Sequence, residues 1–402
     1  MLRSGRRRML HALALGVGTL TAARAGAVEL GDGHAAGADV APASNALALI
    51  PRRSGDAAIF TASLDRAALK TTSGGWAREI TTKQLPIATG LAAAHLFLNP
   101  GGAREMHWHN SAEWAFVIGG RAQATVVDPE GVAEVFNVAP GDLWYFPRGH
   151  AHAIQTLGTE PCHALLVFDD GLYSEHGTFG ISDLMSRIES STLARSLGLP
   201  ETAIAGLPPG ETYIAQGAVL AEDGPEARTE RPFAARLSHR YRTADKAPAI
   251  STPGGTAHIV SSLEFPASAT MTGVLLCLAR DAMQPLHWHP DANEMHYVVR
   301  GQVRITMYAR DKHLAVVDLA PGDCAYVPLG SGHMLRNIGA TPAEVVAVAD
   351  SPRPQTATLA DWLARAPAHL LANNLGVNLQ RPPPGDATQP WIVAAPLVAD
   401  RG

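Results

Sequence analysis

His107, His109, Glu113 and His152 are the residue types that hold a divalent cation, and the same four types return as His287, His289, Glu294 and His333. Three neutral imidazoles and one carboxylate leave a divalent ion a net charge of about +1, and six-coordination leaves two positions open to a small anion. Without a thiolate the set does not suit a soft metal. Imidazole serves iron, copper, nickel and zinc as well as manganese, so spacing alone does not choose among them. A single His-x-His on a strand is usually accidental; a quartet written twice at matching offset predicts a metal in both halves.

Such side chains must be brought together by strands. Residues two apart on a strand face one side, so His107 and His109 point inward together, and Glu113, four further on, keeps the same parity. Glu294 follows His289 by five, which predicts a bulge or widened turn between Pro290 and Asn293. Gly141-Asp142 and Gly322-Asp323 open tight turns, and Pro147-x-Gly149 and Pro328-x-Gly330 turn the chain again so that His152 and His333 meet the earlier pair. His150 and His163 are surplus to a filled quartet.

The quartets sit in a long internal repeat. Gly74-Gly75 and the segment through HWH recur from Gly254-Gly255 at an offset of 180 residues, and PGDLWYFPRGHAH recurs as PGDCAYVPLGSGH. A repeat of this length is a duplicated domain. Short runs rich in Val, Ile, Tyr and Phe alternate with Gly, Pro, Asp and Asn, and each copy ends in a stretch with helical periodicity. The predicted fold is all-β: two tandem antiparallel jelly-roll barrels, each with short C-terminal helices. Residues 56–232 form the first domain with its linker, the connector running from Gly206 to Pro232, and residues 233–402 form the second.

The 402 residues are 46% hydrophobic and 17% charged, with net charge −5, which argues against nucleic acid as a partner because no concentrated cationic face is available. The basic start, the apolar run Met9 to Leu20 and the small residues Ala25-Gly26-Ala27 read as an export signal over residues 1–27. Arg6-Arg7-Arg8-Met9-Leu10 is similar to a twin-arginine signal, with an ordinary secretory signal as the alternative. The product is then periplasmic or secreted, without a membrane segment after signal removal. Residues 28–55, rich in Ala and Gly, form a flexible arm or a strand lent to the neighbouring barrel. Cys162, Cys277 and Cys324 are odd in number and fall on strands, so buried thiols are predicted.

The pattern resembles the cupin superfamily: its first motif appears as His107, His109, Glu113 and Gly119 and its second as Gly141, Pro147, Gly149 and His152, with Gly322, Pro328, Gly330, His333 and Asn337 in the second copy. The longer stretches GGWAREITTKQLPIATG, REMHWHNSAEWAFVIGG, GDLWYFPRGHAHAIQTLG and VFDDGLYSEHGTF are similar to bicupin oxalate decarboxylases over about residues 70 to 400. That resemblance implies manganese in each barrel, two per chain, conversion of oxalate to formate and carbon dioxide with dioxygen as catalytic cofactor, and a homo-hexamer. It also implies a substrate arginine at Arg104 and a general acid/base at Glu175, on a lid that reads Ser174-Glu175-His176-Gly177-Thr178 where the family has Ser-Glu-Asn-Ser-Thr.

The second copy departs from the pattern. Gln284 stands in place of the arginine, Ala347 stands near where relatives can carry a glutamate, and the lid counterpart around Asp350 to Gln355 has no Glu. Catalysis is therefore expected in the first barrel alone. The rival readings are an oxalate oxidase that yields hydrogen peroxide, a non-catalytic metal-binding bicupin, and a dioxygenase of a larger organic acid.

Overall fold

The computed structural model describes residues 60–224, 237–308, 314–382 and 392–394. The export signal and the arm lie outside the described residues. Among those described, the chain forms two β-units, each of two antiparallel sheets whose strands leave and re-enter through tight turns. In the first unit a seven-stranded sheet contains Glu113–Gly119, Leu143–Phe146 and Cys162–Phe168. The facing sheet contains Gly102–His109, Ala151–Thr156 and Ala122–Val127. The second unit repeats this with Glu294–Arg300, Asp323–Val327 and Ala343–Ala349 facing Met283–Trp288, His333–Asn337 and Val303–Tyr308. The predicted helical tails are present as Ile181–Arg187 with Ser190–Leu197, and Leu359–Arg365 with Ala368–Leu375.

Three large apolar clusters hold the sheets together. One lies inside the first unit, including Val117, Phe136, Trp144 and Phe146, and one inside the second, including Val298, Ile305, Val327 and Leu335. The third lies between the two seven-stranded sheets, where Trp114, Tyr145 and Val167 meet Met295, Tyr326 and Val348. Those sheets are therefore covered on both faces, and all four residues of Leu143–Phe146 are buried. The apolar–polar alternation of a strand that buries one face therefore disappears wherever a second barrel covers the outside.

The units also exchange strands. Thr61–Ser63, ahead of the first repeat, pairs with Asp323–Val327 of the second unit. Arg240–Tyr241, ahead of the second repeat, pairs with Leu143–Phe146 of the first. Thr61–Ser63 is thus a strand lent to the other barrel, while residues 28–55, for which a lent strand was the alternative to a flexible arm, lie outside the described residues. The connector is not a free linker either: Ile214–Gln216 adds to the edge of Gly102–His109, and Leu220 bridges Leu157. Residues 225–232 of it lie outside the described residues. The cysteines are unbridged thiols, Cys162 and Cys324 buried and Cys277 only partly so.

At the junction His95 Nε2 lies 2.9 Å from the Tyr297 hydroxyl of the other unit. Burial, with the nearby His163 and Arg78, pushes the His95 imidazole down from 6.5 to about 3. Between those values the unfolded chain binds a proton that the folded chain refuses, so stability falls as pH drops through this window. Replacing His95 with Gln should flatten that dependence, measured as denaturant midpoint against pH from 7 to about 4.

Candidate functional site

The four ligand atoms of His107, His109, Glu113 and His152 lie within 4.8 Å of one another, as do those of His287, His289, Glu294 and His333, and all eight residues are buried. The geometry differs from simple strand parity in one respect. His107, His109 and His152 come from one sheet, but Glu113 begins a strand of the opposite sheet, across the turn at Asn110–Ala112. Glu294 is placed in the same way, and its extra residue is absorbed in the connection after Trp288, where the widened turn was predicted. Each centre therefore closes the gap between two sheets.

Backbone carbonyls aim the imidazoles. The Nδ1 atoms of His107, His109 and His152 bond the carbonyls of Glu105, Ser111 and His150 at 2.7, 2.7 and 2.8 Å. Those of His287, His289 and His333 bond Pro285, Gln355 and Ser331 at 2.8, 2.9 and 3.1 Å. With the proton fixed on Nδ1, each Nε2 is left as a lone-pair donor toward the centre. The turn glycines contribute directly: the Gly149 and Gly330 amides donate to the carbonyls of His109 and His289 at 3.0 and 2.7 Å. Their φ values of 72° and 75° are open to glycine at little cost.

The carboxylates are held as anions. Burial alone would raise the Glu113 carboxyl, but the adjacent His109 and His152 imidazoles hold it well below the usual range. Its Oε1 accepts the Trp144 indole N–H at 2.8 Å, which leaves Oε2 facing the histidines. Burial first, then neighbouring His152 and Arg104, holds His107 far below the ordinary imidazole value, so it stays neutral. The buried Nε2 atoms of His152 and His289 have no hydrogen-bond partner in the protein. An anionic oxygen beside unpartnered imidazole nitrogens fits a bound divalent cation.

Arg104 is buried in the same cavity, about 330 Å³ in volume, with His107, Glu113, Tyr173, Ser174 and Tyr213 on its walls. Three residues before His107, it stands at the wrong strand parity for this. A bulge corrects it: His107 pairs with His152, but Arg104 pairs with Ile154, so the extra residue lies between Arg104 and His107. Met106 is turned out to solvent there, 57% exposed. Arg104 Nη1 donates to the Tyr213 carbonyl at 2.8 Å, its guanidinium lies 4.2 Å from the Tyr213 ring centroid, and Nη2 has no partner in the protein.

Tyr213 was missed in the sequence because it lies in the connector. It adopts φ 62°, rare for a residue with a side chain, and its amide is held by Glu105 Oε1 at 2.7 Å. Glu105 Oε2 accepts from the Ser182 amide at 3.0 Å, tying Arg104's neighbour to the end of the lid. The lid itself is the helix Tyr173–His176 followed by Thr178–Gly180, which pairs with the ligand strand, Thr178 opposite His109. Ser174 and Thr178 line the cavity on either side of Glu175. The side chain of Glu175 lies outside the described residues.

The second cavity, about 360 Å³, holds His289 and Glu294 with His258, Arg353 and Pro354. Gln284 is buried at the register of Arg104, beyond an equivalent bulge. Arg353, in the lid counterpart, supplies a cation that the sequence reading did not credit, but it is exposed at the rim. His150 and His163 belong to neither quartet; His163 packs edge-on against His95.

Comparison with known proteins agrees with this geometry. The family model described as Cupin matches residues 63–204 and 241–381. Oxalate decarboxylase OxdC of Bacillus subtilis is 38% identical over 300 residues, 73% of this chain and 76% of that protein. A probable oxalate decarboxylase of Arthroderma benhamiae is 32% identical over 313 residues, 76% of each. A solved single-residue variant of the Bacillus subtilis enzyme superposes with TM-score 0.74 at 32% identity, covering 84% of this chain and 89% of that one. Another solved structure, TM-score 0.73, concerns the Mn(II) centres of the same enzyme. With both motifs matched in both halves and both buried quartets in place, the chain belongs to the cupin family and, within it, to the bicupin oxalate decarboxylases.

Proposed function

We propose that this enzyme converts oxalate and one proton to formate and carbon dioxide, with manganese in each quartet, dioxygen as catalytic cofactor, and the reaction confined to the first centre. The observation that carries this reading is Arg104: a buried guanidinium with one free Nη2, on the wall of the cavity that contains His107 and Glu113, where the second centre has Gln284. Bound manganese would supply a Lewis acid and a one-electron redox partner. Arg104 receives the distal carboxylate and offsets the charge that builds on carbon as the C–C bond breaks.

Burial sharpens that interaction, since water does not screen it. The Tyr213 carbonyl and ring hold the guanidinium while leaving Nη2 for substrate. Glu175, on the lid beside the cavity, delivers the proton to the formate carbon, and lid closure keeps water from the intermediate. Residues 1–27 as an export signal, a periplasmic or secreted location and a hexameric assembly complete the proposal.

The test is to incubate the pure protein with oxalate while following formate, carbon dioxide and hydrogen peroxide, with metal analysis of the same sample. Equimolar formate and carbon dioxide with about two manganese per chain support the reading. Peroxide with little formate makes the protein an oxidase, and neither product makes it a binding protein.

Arg104→Gln, which copies the second half, should lower kcat/KM by roughly 30-fold or more at unchanged metal content, because a buried charge pair is lost. Glu175→Gln should lower the formate rate by roughly 100-fold or more, with the loss greater in kcat than in KM. Formate production at full rate from either variant removes the role assigned to that residue.

A further inference from the structure

His296 lies two residues beyond Glu294, and its imidazole faces the same centre. It is 1% exposed, and neither ring nitrogen has a hydrogen-bond partner in the protein. Its Nε2 lies 3.3 Å from Glu294 Oε2, the oxygen that His333 Nε2 approaches to 3.0 Å and His289 Nε2 to 3.4 Å. The first centre has nothing equivalent. There the matching cross-strand pair is Ala115 opposite Trp144, whereas in the second it is His296 opposite Ala325. The large ring has moved to the other strand, and Ala325 leaves the space that His296 occupies.

The exchange changes the chemistry. The Trp144 indole bonds Oε1, the oxygen turned away from the histidines, and can only brace the carboxylate. His296 meets Oε2, on the metal side, with a nitrogen that carries a lone pair. Two groups bound side by side on one ion at about 2.2 Å lie about 3 Å apart, close to the separation observed. The unpartnered Nδ1 leaves the ring free to tilt the remaining distance. We propose that His296 is a fifth protein ligand of the second centre, making it a four-imidazole, one-carboxylate site.

Such a centre keeps one open position instead of two, so oxalate cannot chelate there. It also shifts preference from manganese toward nitrogen-seeking ions such as iron, nickel and zinc. The absence of an arginine at Gln284 fits a centre closed to a dianion. The inference rests on the second quartet holding a metal, and the test separates the two.

The experiment is a crystal structure of the full chain reconstituted with Mn2+, together with pulsed electron paramagnetic resonance of wild type and His296→Ala. Expected are an ion in the second centre with His296 Nε2 within about 2.4 Å. His296→Ala should also lose one coupled imidazole nitrogen and at least about tenfold in manganese affinity at that centre alone. His296→Gln, which fills the space, should show the same loss of imidazole coupling. An ion held by the quartet with His296 Nε2 beyond 3 Å and bonded to the Glu294 carboxylate would overturn the proposal. A second centre that stays empty in wild type while the first is filled would overturn the metal reading beneath it.

Discussion

The constraint on which the rest depends is the burial of an anionic carboxylate between two sheets, facing imidazole nitrogens left unprotonated because each ring keeps its proton on the other nitrogen, where it is donated to a backbone carbonyl. A carboxylate in an apolar interior is costly unless it is paired; Glu113 has the Trp144 indole on Oε1 and turns Oε2 toward His109 and His152, where a cation would complete the pairing. Its indole partner comes from its own sheet and its histidine partners from the opposite one. Whatever fixes the sheet separation therefore fixes the distance between ligands. The strands, the turn glycines and the three apolar clusters all act on that distance.

Much of this was legible in the residues. The quartets, the duplication, the turn chemistry and the helical tails follow from side-chain type and spacing, and the structure places them as read. The five-residue spacing before Glu294 correctly demanded a turn. Parity gave the right answer for Glu113 for the wrong reason, since His109 and Glu113 share a face only because the chain crosses to another sheet. Arg104 broke parity, and the bulge that rescues it leaves no mark in one sequence beyond the exposed Met106.

Other features could not be read because their partners are distant in the chain. Tyr213 reaches Arg104 across 109 residues, and nothing in its own neighbourhood announces this. The second cover over the seven-stranded sheets erased the alternation that would have marked them. His296 was visible in principle. Aligning the halves on their glutamates sets it against Ala115, but it stands outside the repeated quartet, and a single buried histidine on an apolar strand carries no signal of its own.

Strand exchange bears on how such a chain can be made. The first half lacks the edge contributed by Arg240–Tyr241 until synthesis has passed the repeat boundary, and the segment Thr61–Ser63 waits for a partner some 260 residues later. On a ribosome adding roughly 5–20 residues per second, that edge stays uncovered for seconds to tens of seconds. The two halves are thus interlocked products of one synthesis: neither can be excised, shuffled or inherited separately without leaving the other with an open seam.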